Sequence, residues 1–230
     1  SNSIYSLLID DRGAVWVGHF QAGLDYSLYQ NGLFRTYDYP PLFNSANLSI
    51  RSFVNKGQEK VIGSRDGLFY INEATGVVKS FVKPVLTSDL ILTICFYQGE
   101  YYIGTYGGGM MVLNPETLSL KYFAQGDTEL FQKGHIFCVK PDAKGNLWIG
   151  TSQGLFSYNG QTKQIKSFTS ANSQLPEGNV YEVSFDSTGK GWIATETGMC
   201  IYDPASQSLR SNVFPEGCLL YTSDAADDKA

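Results

Sequence analysis

Histidine is scarce in this chain: His19 and His135 are the only two in 230 residues. Neither has a cysteine or carboxylate partner at the spacing a metal site needs, so no metal centre is expected. The four cysteines, Cys95, Cys138, Cys200 and Cys218, form no C-x-x-C pair. The first three read as unpaired packing residues, because free cysteine behaves as a small hydrophobe. No H-E-x-x-H, G-x-S-x-G or P-loop motif is present, which removes the enzyme classes those motifs announce. Gly107-Gly108-Gly109 opens no helix and reads as a turn rather than a phosphate cradle. No cofactor is called for. No apolar run approaches the roughly 18 residues of a membrane helix, and Ser1 begins in a strand-like segment rather than a charged leader. Charged residues make up only 17%, the net charge is −5, and no Lys/Arg cluster occurs. Nucleic acid is therefore not an expected partner.

Aromatic residues make up 14% and hydrophobic residues 43% of the chain. Tyr, Phe and β-branched residues pack well on a pleated surface, so the composition suits strands. A chain of this length can bury roughly 70% of its unfolded surface and needs no staples.

One phrase recurs five times: AVWVGHFQAGLDYS from Ala14, EKVIGSRDGLFYI from Glu59, EYYIGTYGGGMMVL from Glu100, NLWIGTSQGLFSY from Asn146 and KGWIATETGMCIY from Lys190. Its first glycine is Gly18, Gly63, Gly104 or Gly150, with Ala194 in the last copy. Its second is Gly23, Gly67, Gly109, Gly154 or Gly198, at steps of 44, 42, 45 and 44 residues. Upstream lies an apolar residue (Ile4, Ile50, Ile91, Ile136 or Val180), followed three residues later by another (Leu7, Phe53, Ile94, Val139 or Val183). A turn rich in Asp, Asn and Gly then precedes the phrase, as in Asp142-Ala143-Lys144-Gly145. Such residues supply the positive φ and the local hydrogen bonds of tight turns. A short run with aromatics follows the phrase. Each unit reads as four strands, called A to D, over Ile4–Ile9, Ala14–Gly18, Leu24–Tyr29 and Leu33–Tyr37 in the first copy. Four strands per 40 to 50 residues is the mark of a β-propeller blade. The fold class is all-β, with five four-stranded blades over approximately 1–45, 46–86, 87–131, 132–175 and 176–217.

The phrase D-x-x-G-x-[LV]-W-[IV]-G-T-x-x-G-L, complete from Asp142 to Leu155, resembles the two-component regulator propeller repeat. The other copies depart from it at single places: His19 for Thr, Val61 and Tyr102 for Trp, Ala194 for Gly. The resemblance covers residues 1–217. It implies the periplasmic sensor region of a membrane-anchored hybrid two-component histidine kinase of the Bacteroidota type. There, two seven-bladed propellers precede a β-sandwich, a membrane helix and a kinase, and many such sensors detect polysaccharide breakdown products. On that reading the five blades are an open fragment of a seven-bladed propeller. Expected partners are a small-molecule or oligosaccharide ligand, the remaining blades and signalling domains of the same receptor, and a second copy of the full-length protein.

Residues 218–230, CLLYTSDAADDKA, fall outside the repeat. Cys218 to Asp227 resembles the reading-frame translation of a sequencing-library adapter, so a non-native tail is expected from residue 218. Three Asp and one Lys there carry −2 of the net −5.

The copies serve as their own control for a binding site. What recurs serves the blade, and what varies is free to bind. The recurring Trp16, Trp148 and Trp192 read as packing, the turn Asp as a turn residue, and Ser64, Thr105, Thr151 and Thr195 as structural. The B–C turns and the segments before strand A share one rim. Their varying residues are His19, Phe20, Gln21, Arg65, Asp66, Tyr106, Gln153 and Glu196, then Asn47, Asp89, His135 and Asn179. Aromatic faces beside a few placed polar groups suit a ligand site. Phe20 and Tyr106 are placed to stack on a sugar ring, and Arg65 to meet a carboxylate or sulfate. A ligand sensor, a protein-interaction scaffold and a propeller lyase or hydrolase stay open as functions. No crowd of non-repeating catalytic residues favours the last.

Overall fold

A computed structural model describes residues 4–10, 13–19, 24–27, 34–36, 49–123 and 128–211, with backbone only at residues 5, 19 and 34–36. The chain is an all-β propeller of five four-stranded antiparallel sheets, each paired in sequence order. The A strands are Ile4–Ile9, Ile50–Lys56, Ile91–Tyr97, Ile136–Pro141 and Val180–Phe185. The B strands are Val15–His19, Glu59–Ser64, Glu100–Thr105, Asn146–Thr151 and Gly191–Thr195. The C strands begin at Leu24, Gly67, Met110, Gly154 and Gly198, and the D strands at Phe34, Val77, Leu120, Ile165 and Ser208. One short helix, Thr128–Lys133, lies in the connection to blade 4 and buries Leu130 and Phe131. Phe20, Gln21, Asn47, the side chain of His19 and the tail from residue 218 lie outside the described residues.

Local chemistry closes each hairpin. In blade 4, Asp142 Oδ1 accepts from the amides of Lys144 (2.9 Å) and Asn146 (2.8 Å), while Gly145 takes φ +79°. Asparagine closes the C–D turns of blades 2 to 4 in a similar way. Asn72, Asn114 and Asn159 each accept from two amides two and three residues on, the Asx-turn habit of this side chain.

The core is divided among the blade junctions. Four buried clusters lie between successive blades, centred on Trp16 and Ile50, on Leu68 and Ile91, on Tyr102 and Ile136, and on Trp148 and Val180. The first glycine of the repeated phrase is set by this packing. A Cβ on Gly63 would stand 2.5 Å from Ile91 Cγ2, one on Gly104 2.7 Å from Ile136 Cγ2, and one on Gly150 2.7 Å from the Val180 carbonyl. Gly18 meets Ile50 in the same way. Each first glycine thus receives the first apolar residue of the next blade. Side chains also bridge the junctions. Glu59 accepts from Tyr70 of its own blade at 2.7 Å and from Tyr101 of the next at 2.8 Å. The Tyr97 hydroxyl donates to the Gly145 carbonyl at 2.6 Å and accepts from the Gly160 amide at 2.9 Å.

Strands A and B of each blade pack on strand A of the next, and no comparable packing among the described residues joins blade 5 to blade 1. Accordingly Ile4, Leu7 and Ile9 are 59%, 64% and 65% exposed, although Ile50, Ile91, Ile136 and Val180, which occupy the Ile4 position in other blades, are fully buried.

Candidate functional site

Each described B–C turn is tied to the start of its own strand A. The amides of Arg65, Tyr106, Ser152 and Glu196 donate to the carbonyls of Ser49, Leu90, His135 and Asn179, at 3.1, 3.0, 3.2 and 2.9 Å. This places both groups of varying residues on one rim in blades 2 to 5. The recurring hydroxyls hold the turns. Ser64, Thr105, Thr151 and Thr195 donate to the carbonyls of Gly67, Gly109, Gly154 and Gly198 at 2.8 to 3.1 Å. Gly67, Gly109, Gly154 and Gly198 sit there at φ between +70° and +157°, where a side chain is strained. In blade 3 the turn is further fixed by the Gly109 amide donating to the Gly134 carbonyl just past the helix.

On this rim, three blades contribute to one ledge of rings. Tyr106 of blade 3 stacks on His135 of blade 4, centroids 4.0 Å apart and planes at 24°. His135 neighbours Phe137 at 6.2 Å, and Phe137 meets Tyr181 of blade 5 edge-on at 5.1 Å. Tyr106 and Tyr181 are 49% and 44% exposed. Polar groups close the blade 5 end. The Asn179 amide side chain donates to the Tyr181 hydroxyl at 3.1 Å, and the Asn179 backbone N–H donates to Glu196 Oε2 at 3.2 Å. His135 Nδ1 is buried without a hydrogen-bond partner.

The structure thus brings together Tyr106, His135, Asn179 and Glu196 of the residues singled out from sequence. Gln153 lines a neighbouring crevice of 150 Å³ with Glu177 and Gly178. Arg65 and Asp66 stand exposed on the turn of blade 2. Asp89 is turned to its own loop, accepting from the Lys83 amide at 2.7 Å. Sequence reasoning missed Phe137 and Tyr181. A larger groove, 730 Å³, lies on the opposite rim between blades 4 and 5. Its lining includes Asn146, Asn159, Lys144, Lys166 and Tyr202, with Asn146 bonded to both Asp142 and Asn159. Among the described residues no cluster of three or more His, Cys, Asp or Glu is arranged to hold a metal.

Residues 131–153 match the family model of the two component regulator propeller. No curated protein sequence matches the chain. Among solved structures, the chain resembles the extracellular domain assigned to a hybrid two component system of B. thetaiotaomicron. The identity is 25% and the TM-score 0.69, over 90% of this chain and 28% of that one. A second such domain from the same organism aligns at 18% identity and TM-score 0.65, over 90% of this chain and 33% of that one. PorZ, a surface component of the type-IX secretion system of Porphyromonas gingivalis, shares the fold at 16% identity and TM-score 0.67, over 85% of this chain and 31% of its own. The chain therefore spans about a third or less of the length of each. Residues 131–153 thus carry the two component regulator propeller repeat, and the chain is a propeller region resembling extracellular domains assigned to hybrid two component systems.

Proposed function

We propose that this chain is part of the periplasmic ligand-sensing region of a two-component signalling receptor, and that its ligand is an oligosaccharide released from a larger polysaccharide. The observation that carries the reading is the ledge Tyr106–His135–Phe137–Tyr181, flanked by Asn179 and Glu196. It joins apolar ring faces to a small number of placed polar groups, the composition of a site for a ring-bearing ligand. The face of an aromatic ring carries negative potential, which complements the C–H-rich face of a sugar. The ledge lies on the rim where the blades differ from one another, while the hydroxyl latches that hold the rim recur. In this reading a kinase elsewhere in the receptor supplies the output and the propeller performs no chemistry. The test is thermal melting of the complete protein against a panel of oligosaccharides. A ligand that binds only the folded state raises the melting temperature with its concentration. At least one saccharide is expected to do so, to return unhydrolysed, and to change autophosphorylation of the receptor. A melting temperature unmoved by every saccharide would overturn the reading.

A further inference from the structure

Every strand A contains a β-bulge at the same place. The pairing to strand B slips between Ile4 and Ser6, Ile50 and Ser52, Ile91 and Thr93, Ile136 and Cys138, and Val180 and Glu182. The residues that the register skips are Tyr5, Arg51, Leu92, Phe137 and Tyr181. A bulge re-aims one side chain relative to its strand. The residues before the bulge hardly vary (isoleucine four times and valine once), whereas the bulge residue differs in nearly every blade. In blades 4 and 5 the re-aimed side chains are Phe137 and Tyr181, the two rings that extend Tyr106 and His135 into a continuous ledge.

We propose that the strand A bulge is the device by which each blade presents one specificity-determining side chain to the rim, and that Phe137 and Tyr181 select a neutral sugar ring. This rests on the reading of the chain as a saccharide sensor and adds which residues choose the ligand and what charge it carries. Neutrality follows from the ledge's surroundings. Among the described residues no lysine or arginine stands over any of the four rings. Lys140 is paired with Glu182 at 3.3 Å, and the Glu196 carboxylate accepts from the Asn179 N–H at the end of the ledge. An anionic sugar would find no partner there and would meet a like charge.

The experiment is calorimetric titration of the complete protein with maltohexaose, cellohexaose, xylohexaose, oligogalacturonate and a heparin-derived hexasaccharide. Binding is expected from a neutral member. Tyr181→Ala is expected to weaken it about tenfold, the size of a lost ring stack, with the melting temperature of the free protein unchanged because Tyr181 stands at the surface. Tyr181→Phe keeps the ring and is expected to bind within about threefold of the parent, losing only the contact of its hydroxyl to Asn179. Leu92→Phe is expected to reorder preferences among the neutral sugars. Parental affinity in Tyr181→Ala, or preference for an acidic member, would overturn this proposal while leaving the sensor reading intact. Failure of the parent to bind any member would remove the sensor reading and this proposal together.

Discussion

The indole N–H of Trp148 donates to Asp142 Oδ2 across 2.9 Å, joining the last position of the strand A region to the middle of strand B. The same clip joins Trp16 to Asp10 at 3.0 Å and Trp192 to Asp186 at 3.4 Å. Where the tryptophan is absent, so is the aspartate. Blade 2 has Val61 with Lys56, and blade 3 has Tyr102 with Tyr97. In those blades the residue in the aspartate's place reaches across to the next blade. Lys56 lies over Phe96 of the next blade at 3.4 Å, and Tyr97 bonds Gly145 and Gly160. The repeated Asp is therefore a turn residue that also satisfies a buried indole, which is why the two residues come and go together.

Asp142→Ala leaves that indole without an acceptor and frees the amides of Lys144 and Asn146. Trp148 is only 2% exposed, so its indole is poorly placed to regain a partner. A stranded buried donor costs about 1–3 kcal/mol, and a loss of about 2 kcal/mol in urea denaturation is expected. Asp186→Ala should cost visibly less, because Trp192 is 36% exposed and its bond is longer. In the double variant Asp142→Ala/Trp148→Phe the two losses should not add, since each removes the same bond.

Gly150 tests why the first glycine recurs. Its φ is ordinary, so packing is what forbids a side chain. A Cβ there would lie 2.5 Å from Cys138 Sγ and 2.7 Å from the Val180 carbonyl. The carbonyl belongs to strand A of blade 5 and cannot step aside alone. Gly150→Ala is expected to cost about 1–3 kcal/mol, the range for overpacking a filled core, read as a lowered denaturation midpoint. Blade 5 already carries Ala194 at this position, partly exposed. Ala194→Gly should change stability by no more than about 1 kcal/mol.

The fold was legible because these packing rules write themselves into sequence five times. The first glycines keep steps of 41 to 46 residues since each receives the next blade's Ile or Val. The ledge was only half legible. Tyr106, His135, Asn179 and Glu196 stood out as variation on a common rim, but Phe137 and Tyr181 were hidden inside strands. Their signal was present in the apolar spacing of three within strand A. In a regular strand, residues three apart face opposite ways. Ile136 and Val139 are both buried, as are Val180 and Val183, because the bulge absorbs one residue between them. A spacing of three in a strand that must bury both ends marks the residue that is turned out. The helix Thr128–Lys133 gave no such signal, since six residues are too few to show a helical period.

The buried thiols predict the alkaline limit of the fold. Burial pushes Cys95 and Cys200 up to about 11 and Cys138 to about 12. At pH 8 all three are thiols in the folded state. A maleimide should label none of them in a Cys218→Ser background until urea is added. The folded values lie above the ordinary thiol value near 9. Well below pH 9 folded and unfolded chains are both protonated and stability does not depend on these groups. As pH rises from 9 toward 11 to 12, the unfolded chain ionises first and stability falls. Denaturation midpoints should be level from pH 7 to 8.5 and should decline above 9. A midpoint level to pH 10.5, or labelling without denaturant, would show that the thiols are not sealed in the blade junctions.

The two end faces predict how the propeller behaves outside its own protein. Ile4 and Leu7 hold positions that other blades bury against a preceding sheet, exposed Ile9 adjoins them, and Trp192 holds a position that Trp16 and Trp148 bury against a following sheet. Exposed apolar faces of this kind drive association. We expect a polypeptide limited to residues 1–217 to associate with rising concentration in sedimentation velocity, and Leu7→Glu with Trp192→Lys to shift it toward monomer. The same two changes in the complete protein should instead destabilise it, since there we expect further blades to cover both faces. They would then bury a charge without a partner, at a cost of several kcal/mol. A monomeric 1–217 polypeptide that melts in one cooperative step would mean that blade 5 closes on blade 1, and the pair of charges would then destabilise that polypeptide as well.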